Sequence, residues 1–218
     1  MKSESRKYID LIYGVTSNYQ VSWDLPIEIR VGDYGMNNDS TGEFEVFGNI
    51  YADKIIDMTD PALCPVEEEG EDSLIVKSEG VIARDLSTNT EAAVPGAANV
   101  ALKVEFEFDG RKQAAVLVMY KPRYISFPKN ERIIELLNSI PDVLKGKYVI
   151  SEVTTCAAFM MYLSPNRPEK CSVTFCATGP TAPGVNARGW SAYGISREGY
   201  PTAKYVPLYR LIKPRSKF

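Results

Sequence analysis

The chain has 218 residues, 44% hydrophobic and 24% charged, which is ordinary globular composition and long enough for one large α+β domain or two small ones. It contains no histidine, which excludes the commonest general base, the usual catalytic triads and dyads, and most zinc sites. The net charge of −3 hides a division: residues 1–144 carry 14 Lys+Arg against 25 Asp+Glu, whereas residues 145–218 carry 11 against 3. A basic segment with long apolar, strand-forming runs fits an anionic surface, whether membrane lipid, nucleic acid or an acidic partner.

The first residues, MKSESRKYIDLIYG, do not read as a signal peptide, because the apolar part from Tyr8 to Tyr13 is short and Asp10 breaks it. Lys7 to Tyr13 predicts a short helix with Tyr8, Leu11 and Ile12 on one face and Lys2, Arg6 and Lys7 close by; the alternative is a frayed end that packs only locally. Residues 27–57 read as short strands, alternating at Ile27, Ile29 and Val31 and again at Phe44 and Val46, with turns at Gly32-Asp33, Asn37-Asn38 and Thr41-Gly42. Residues 60–72, DPALCPVEEEGED, read as a solvated acidic loop with no EF-hand spacing.

From Ser73 to Asp109 two strand-like segments flank a tip that holds Pro95-Gly96. The second has the cleanest pattern in the chain: Val100, Leu102, Val104, Phe106 and Phe108 on one face, Lys103, Glu105, Glu107 and Asp109 on the other. Asp109-Gly110 turns into Ala114 to Tyr120, the longest apolar run and a candidate for a fully buried strand. No run reaches the ~20 apolar residues of a transmembrane helix, so any membrane crossing would use strands.

Asn130 to Ile140 predicts a helix, with Ile133, Leu136, Leu137 and Ile140 at helical spacing and Pro141 at its end. A long strand-like segment, Tyr148 to Leu163, is followed by the proline-containing turn 164–170 and by Cys171 to Ala177 with period-2 alternation. The four cysteines, Cys64, Cys156, Cys171 and Cys176, show no CxxC spacing and read as reduced, buried thiols of a cytosolic protein. The end, KYVPLYRLIKPRSKF, interleaves Tyr205, Leu208, Tyr209, Leu211 and Ile212 with Lys204, Arg210, Lys213, Arg215 and Lys217. It suits an element lying on an anionic surface, where each base contributes ~1 kcal/mol; the alternative is a solvated tail. No nucleic-acid motif is present, and the acidic first two-thirds would repel phosphate.

Two hairpin-like units, near 73–109 and 147–178, therefore sit in one chain. A membrane strand needs ~9–11 residues with one apolar and one polar face, and Val100 to Phe108 meets both conditions. Backbone groups in lipid must be paired, so such hairpins can insert only within a closed barrel of many subunits. A half-buried strand of an ordinary sandwich carries the same alternation.

The string IEIRVGDYGMNNDSTGEFEVFGNIY resembles the opening of fungal gasdermin-like proteins. FEFDGRKQAAVLVMYKPR, the helix NERIIELLNSIPD, the strand KYVISEV and the ending VPLYRL resemble the gasdermin pore-forming domain, over roughly residues 25–212. The closest resemblance is to the fungal regulator-of-cell-death proteins, which look like that domain without the C-terminal inhibitory domain. The resemblance implies a single pore-forming domain over 1–218 with a mixed α+β fold on a twisted, mainly antiparallel sheet. It implies no enzymatic activity and no cofactor or metal. It implies binding to acidic membrane phospholipids, homo- or hetero-oligomerisation with a variant of itself, and insertion of two β-hairpins per subunit in programmed cell death and allorecognition. The chain would be cytoplasmic when dormant and at the plasma membrane when active.

Carried onto this sequence, the lipid-binding bases would be Lys2, Arg6, Lys7, Lys204, Arg210, Lys213, Arg215 and Lys217. The membrane hairpins would present Val100, Leu102, Val104, Phe106, Phe108, Val153, Phe159, Met161, Val173 and Phe175, with Glu79, Glu105 and Glu107 facing the lumen. A non-lytic β-rich module that docks on lipid or protein is the rival reading, and an enzyme working without histidine a distant third.

Overall fold

The computed structural model describes residues 3–23, 29–85, 100–139, 141–178, 184–187, 195–199 and 205–214. In chain order the elements are α1 (Glu4–Tyr13), β1 (Tyr19–Val21), β2 (Asp33–Asn37), β3 (Phe44–Asn49), a 3-10 turn (Pro61–Leu63), β4 (Val66–Glu69), β5 (Ser73–Lys77), β6 (Val81–Asp85), β7 (Val100–Phe108), β8 (Ala115–Tyr120), β9 (Arg123–Ser126), α2 (Glu131–Ser139), α3 (Pro141–Leu144), β10 (Tyr148–Cys156), β11 (Ala158–Leu163), β12 (Glu169–Thr178), β13 (Gly184–Ala187), β14 (Ile195–Gly199) and β15 (Tyr205–Ile212). The fold is α+β, built on antiparallel sheets with flanking helices, as the sequence predicts.

The strands form three sheets. A seven-stranded platform runs β1-β15-β10-β2-β3, with β9 on the far half of β10 and β4 outside β9. A four-stranded inner sheet runs β14-β11-β8-β5, and a four-stranded outer sheet runs β13-β12-β7-β6. The outer sheet lays Leu102, Val104, Phe106, Phe108, Val173 and Phe175 on Val116, Val118, Met160 and Tyr162 of the inner sheet. The opposite face of the inner sheet, Leu117, Met119, Phe159, Met161 and Leu163, packs on Tyr8, Ile9 and Ile12 of α1, with Trp23 and Leu208 beside them. The inner sheet is thus covered on both faces. That is why AVLVMY and AFMMYL are unbroken apolar runs while β7 alternates.

α1 is longer than predicted and well anchored. Ser3 caps it by accepting the Arg6 N–H, and Tyr8 donates a buried 2.9 Å hydrogen bond to the Val116 carbonyl. α2 covers the platform through Ile133 and Leu137, which join Val149, Val153, Val206 and Tyr209 in one cluster, and Asn130 accepts the Ile133 N–H at its start. Ile140 and Ile27 lie outside the described residues.

Four sequence expectations change. Residues 60–72 are not all loop: Val66–Glu69 is an edge strand paired antiparallel with β9, and across that ladder Arg123 pairs with Glu67 and Glu69 and Lys129 with Glu68. Such a charged edge resists further strand pairing. Ile29 and Val31 lead into β2 but belong to no strand. The segment Tyr148–Leu163 is two strands, because the chain leaves the platform at Ala157 for the inner sheet. Finally, β15 is neither a solvated tail nor a surface-lying element. It is an interior strand between β1 and β10, with Val206, Leu208 and Tyr209 buried.

Candidate membrane ribbon and basic residues

The inner and outer sheets repeat one strand order. β5 continues into β6, β8 follows β7, β11 continues into β12, and β14 follows β13, so the order β14-β11-β8-β5 matches β13-β12-β7-β6. The two sheets are therefore one four-stranded antiparallel ribbon folded over on itself. Its described corners are the links 78–80, 109–114 and 164–168; residues 188–194, between β13 and β14, lie outside the described residues. Register carries through the central corner almost unbroken. Phe108 pairs with Glu169 on one side and Ala115 with Leu163 on the other, six link residues facing five.

Glycine is required where the corners touch. Gly110 has φ +73°, and a Cβ there would sit 2.0 Å from the Pro168 nitrogen. Two aromatic pairs close the fold-over between sheets. Phe108 meets Tyr162 at 5.4 Å near the corner, and Tyr120 stacks on Phe175 at 5.9 Å and 13° toward the far end. Tyr162 also donates a 2.6 Å hydrogen bond to Glu169.

Of the predicted membrane residues, Leu102, Val104, Phe106, Phe108, Val173 and Phe175 share the space between the sheets. Phe159 and Met161 belong to the same ribbon but face α1. Val153 does not join them: β10 is a platform strand, and Val153 packs in the α2 cluster. The second hairpin accordingly begins at Ala158 rather than near 147. The side chain of Val100 is outside the described set.

The polar face of the outer sheet is charged with both signs. Glu107 lies 3.5 Å from Arg84 and 3.6 Å from Lys170, and Glu105 sits opposite Arg84 and Ser172 in register. Glu79 occupies the 78–80 corner and pairs with Lys112 at 2.7 Å. The sequence reading placed Lys103 on this face but assigned only the acids to the lumen, and it missed Arg84 and Lys170, although the period-2 pattern that placed the acids applies equally to the bases.

The predicted docking bases are dispersed. Lys2, Lys204, Arg215 and Lys217 lie outside the described residues. Arg6 pairs with Asp10 at 3.0 Å and donates to the Asp39 carbonyl, and Lys7 is half-buried on α1. Arg210 is held within the platform. Its guanidinium lies 3.4 Å from Glu152 and 4.3 Å from the centre of the Tyr19 ring, and Tyr19 donates to the same Glu152. Burial and the Glu152 contact push the Tyr19 phenol up to about 12. Lys213 is exposed over the ring of Tyr148.

Among the described residues, no group of three His, Cys, Asp or Glu side chains converges as metal ligands, and no helix is long and apolar enough to cross a membrane. Cys156 and Cys171 are buried and outside any disulfide, Cys64 is only half-buried, and the side chain of Cys176 lies outside the described set. A groove of about 690 Å³ beside α2 is lined by Lys129 and Arg210 but also by Glu131, Glu135 and Glu152, so it favours no anion. No protein-family model matches the chain, and no curated protein sequence is significantly similar to it.

Proposed function

We propose that this protein is a gasdermin-like pore-forming cell-death effector that binds acidic phospholipids, oligomerises and inserts its ribbon as two β-hairpins per subunit. One observation carries the reading: a four-stranded antiparallel ribbon, folded at aligned corners, that buries its apolar face against itself. Straightened, β7 with β8 spans residues 100–120 and β11 with β12 spans 158–178, each longer than the ~10 residues a bilayer strand needs. In the folded form Leu102, Val104, Phe106, Val173 and Phe175 are covered by the inner sheet. In lipid the same side chains would be covered by acyl chains, so the transfer exchanges one apolar environment for another. Neighbouring subunits would pair the free ribbon edges, as the bilayer requires.

The dormant chain is cytoplasmic and the active one is at the plasma membrane. Its partners are acidic phospholipids and further copies or a variant of itself, which fits the allorecognition role implied by the resemblance to fungal gasdermin-like proteins. No enzymatic step is part of the proposal. The test is dye release from liposomes containing cardiolipin or phosphoinositide. Leakage, with rings in negative-stain images, is expected; intact liposomes in the presence of the protein, alone or with a variant partner, sink the pore reading.

The second reading, a non-lytic docking module, draws on exposed Met36, Val46 and Phe47 on the β2–β3 edge, with Lys147 over the Phe47 ring at 5.8 Å. It predicts liposome binding without leakage.

A further inference from the structure

At the fold-over corner, two buried serine hydroxyls stand in for backbone carbonyls. Ser78 follows β5 and stands opposite Ala115, one step beyond the last β5–β8 pair, Lys77 with Val116. The Ser78 N–H donates to the Ala115 carbonyl at 2.9 Å, as a ladder requires, but the Ala115 N–H donates to the Ser78 hydroxyl, also at 2.9 Å. On the other side of β8, Ser164 follows β11 and stands opposite Ala114, one step beyond the pair Leu163 with Ala115. The Ser164 N–H donates to the Ala114 carbonyl at 2.8 Å, and the Ala114 N–H donates to the Ser164 hydroxyl at 2.9 Å.

The same device therefore ends both ladders that flank β8. Each serine is buried, 5% and 1% exposed, so neither alanine N–H has water to fall back on. The reason lies in the bend. Where the chain turns into the corner, the alanine N–H meets the serine hydroxyl in place of the ladder carbonyl, both oxygens standing two bonds from Cα.

We propose that Ser78 and Ser164 form a clasp that selectively holds the ribbon folded and gates its opening at the corner. The selectivity follows from what each hydroxyl does in the two forms. In the folded ribbon it is the only acceptor of its alanine N–H among the described residues. In a straight ribbon the ladder runs on, the Ser78 and Ser164 carbonyls return to those positions, and the hydroxyls are not needed. Alanine in place of either serine leaves a buried donor unpaired in the folded form alone, which shifts the equilibrium toward the open form by roughly tenfold per serine. The clasp holds two ladders at adjacent residues of one strand, so releasing one side frees the other.

The role as gate rests on the pore reading; the clasp itself does not. The experiment measures hydrogen exchange on the full chain in solution, and dye leakage from cardiolipin-containing vesicles, for wild type, Ser78→Ala and Ser164→Ala. Each substitution is expected to speed exchange roughly tenfold at both Ala114 and Ala115, and at Val116 and Leu163 beside them, with Val149 and Val153 of the platform unchanged. Leakage should quicken in parallel. Ser78→Thr, which keeps a hydroxyl, should return exchange and leakage toward wild type, and it carries the test if Ser164→Ala fails to fold.

Faster exchange at the one alanine that lost its acceptor, and nowhere else, overturns the clasp. Exchange that spreads while leakage keeps the wild-type rate overturns the gate. Exchange that spreads with no leakage from any protein, wild type included, supports the clasp and removes the pore reading instead.

Discussion

At the scale of single residues, the platform core holds a hydroxyl out of place. Tyr209 is fully buried beside Phe44, their ring centres 6.0 Å apart, and its hydroxyl has no hydrogen-bond partner among the described residues. Burial, reinforced by the nearby charge of Glu43, pushes this phenol well above its ordinary range. A buried hydroxyl without a partner forfeits its hydration and gains nothing in exchange. Tyr209→Phe keeps the ring and removes the liability, so it should stabilise the protein at neutral pH by about 1 kcal/mol in urea unfolding. Alkaline behaviour follows from the same environment. A phenol whose native pKa is raised keeps its proton in the folded state while the unfolded chain begins to lose it near pH ~10. Stability is complete below that value and falls as pH rises toward the native pKa, about 12 for Tyr19. Melting temperature should drop across this window, and less steeply in Tyr209→Phe than in wild type.

At the scale of elements, β15 separates what the sequence could say from what it could not. Its bases interleave with apolar residues, and local pattern reads that as a surface element. In fact β1 and β10 flank it: Tyr19 pairs with Arg210 and Val149 with Ile212, partners too distant in the chain for any local window to span. β7, in contrast, was legible, because alternation is written within nine residues and only one of its faces is covered. The buried character of β8 was legible for a related reason: a strand covered on both faces has no polar side to show. The fold-over was not legible. Gly80, Gly110, Pro165 and Pro168 announce turns, but nothing local distinguishes a hairpin from a corner between stacked sheets. The second hairpin was misplaced for the same reason, since β10 and β11 are contiguous in sequence and part only at Ala157. The position of Arg210 makes β15 testable. Arg210→Ala leaves the largely buried Glu152 carboxylate without its base and should cost about 1 kcal/mol of stability, with little effect on binding to anionic liposomes. Lys213→Ala, at an exposed site, should change stability by less than about 0.5 kcal/mol and weaken liposome binding instead. Paired denaturation and co-sedimentation measurements separate the two; weaker binding in Arg210→Ala at unchanged stability would contradict the interior role.

At the scale of the whole molecule, the ribbon's polar face fixes what a pore built from it would conduct. That face carries Arg84, Lys103 and Lys170 against Glu105 and Glu107, with Glu107 held between Arg84 and Lys170 at 3.5 and 3.6 Å. Opposite charges so close cancel within a short distance, and in physiological salt the remainder is screened over ~8 Å. A ring of many such subunits encloses a lumen wider than that length, so most passing ions meet little net field. The expected channel in planar bilayers therefore has a reversal potential near zero under a KCl gradient. The double substitution Arg84→Glu with Lys170→Glu turns two bases per subunit into acids and leaves Lys103 as the one base among the described side chains on the outer sheet's polar face. The reversal potential should then move toward that of potassium. The carboxylate introduced by Lys170→Glu would face Glu107 across the ladder and weaken the folded sheet by repulsion, so a melting curve must accompany the recording. A folded double variant that still conducts with no shift would mean that the face bearing Glu105 and Glu107 does not line the lumen, and the ribbon would then have to insert with its faces exchanged. That arrangement would turn the charged side chains of Arg84, Lys103, Glu105, Glu107 and Lys170 toward lipid, where a base near the bilayer midplane costs about 2–4 kcal/mol and an acid somewhat less. That cost is why the apolar face between the sheets is the one assigned to the membrane.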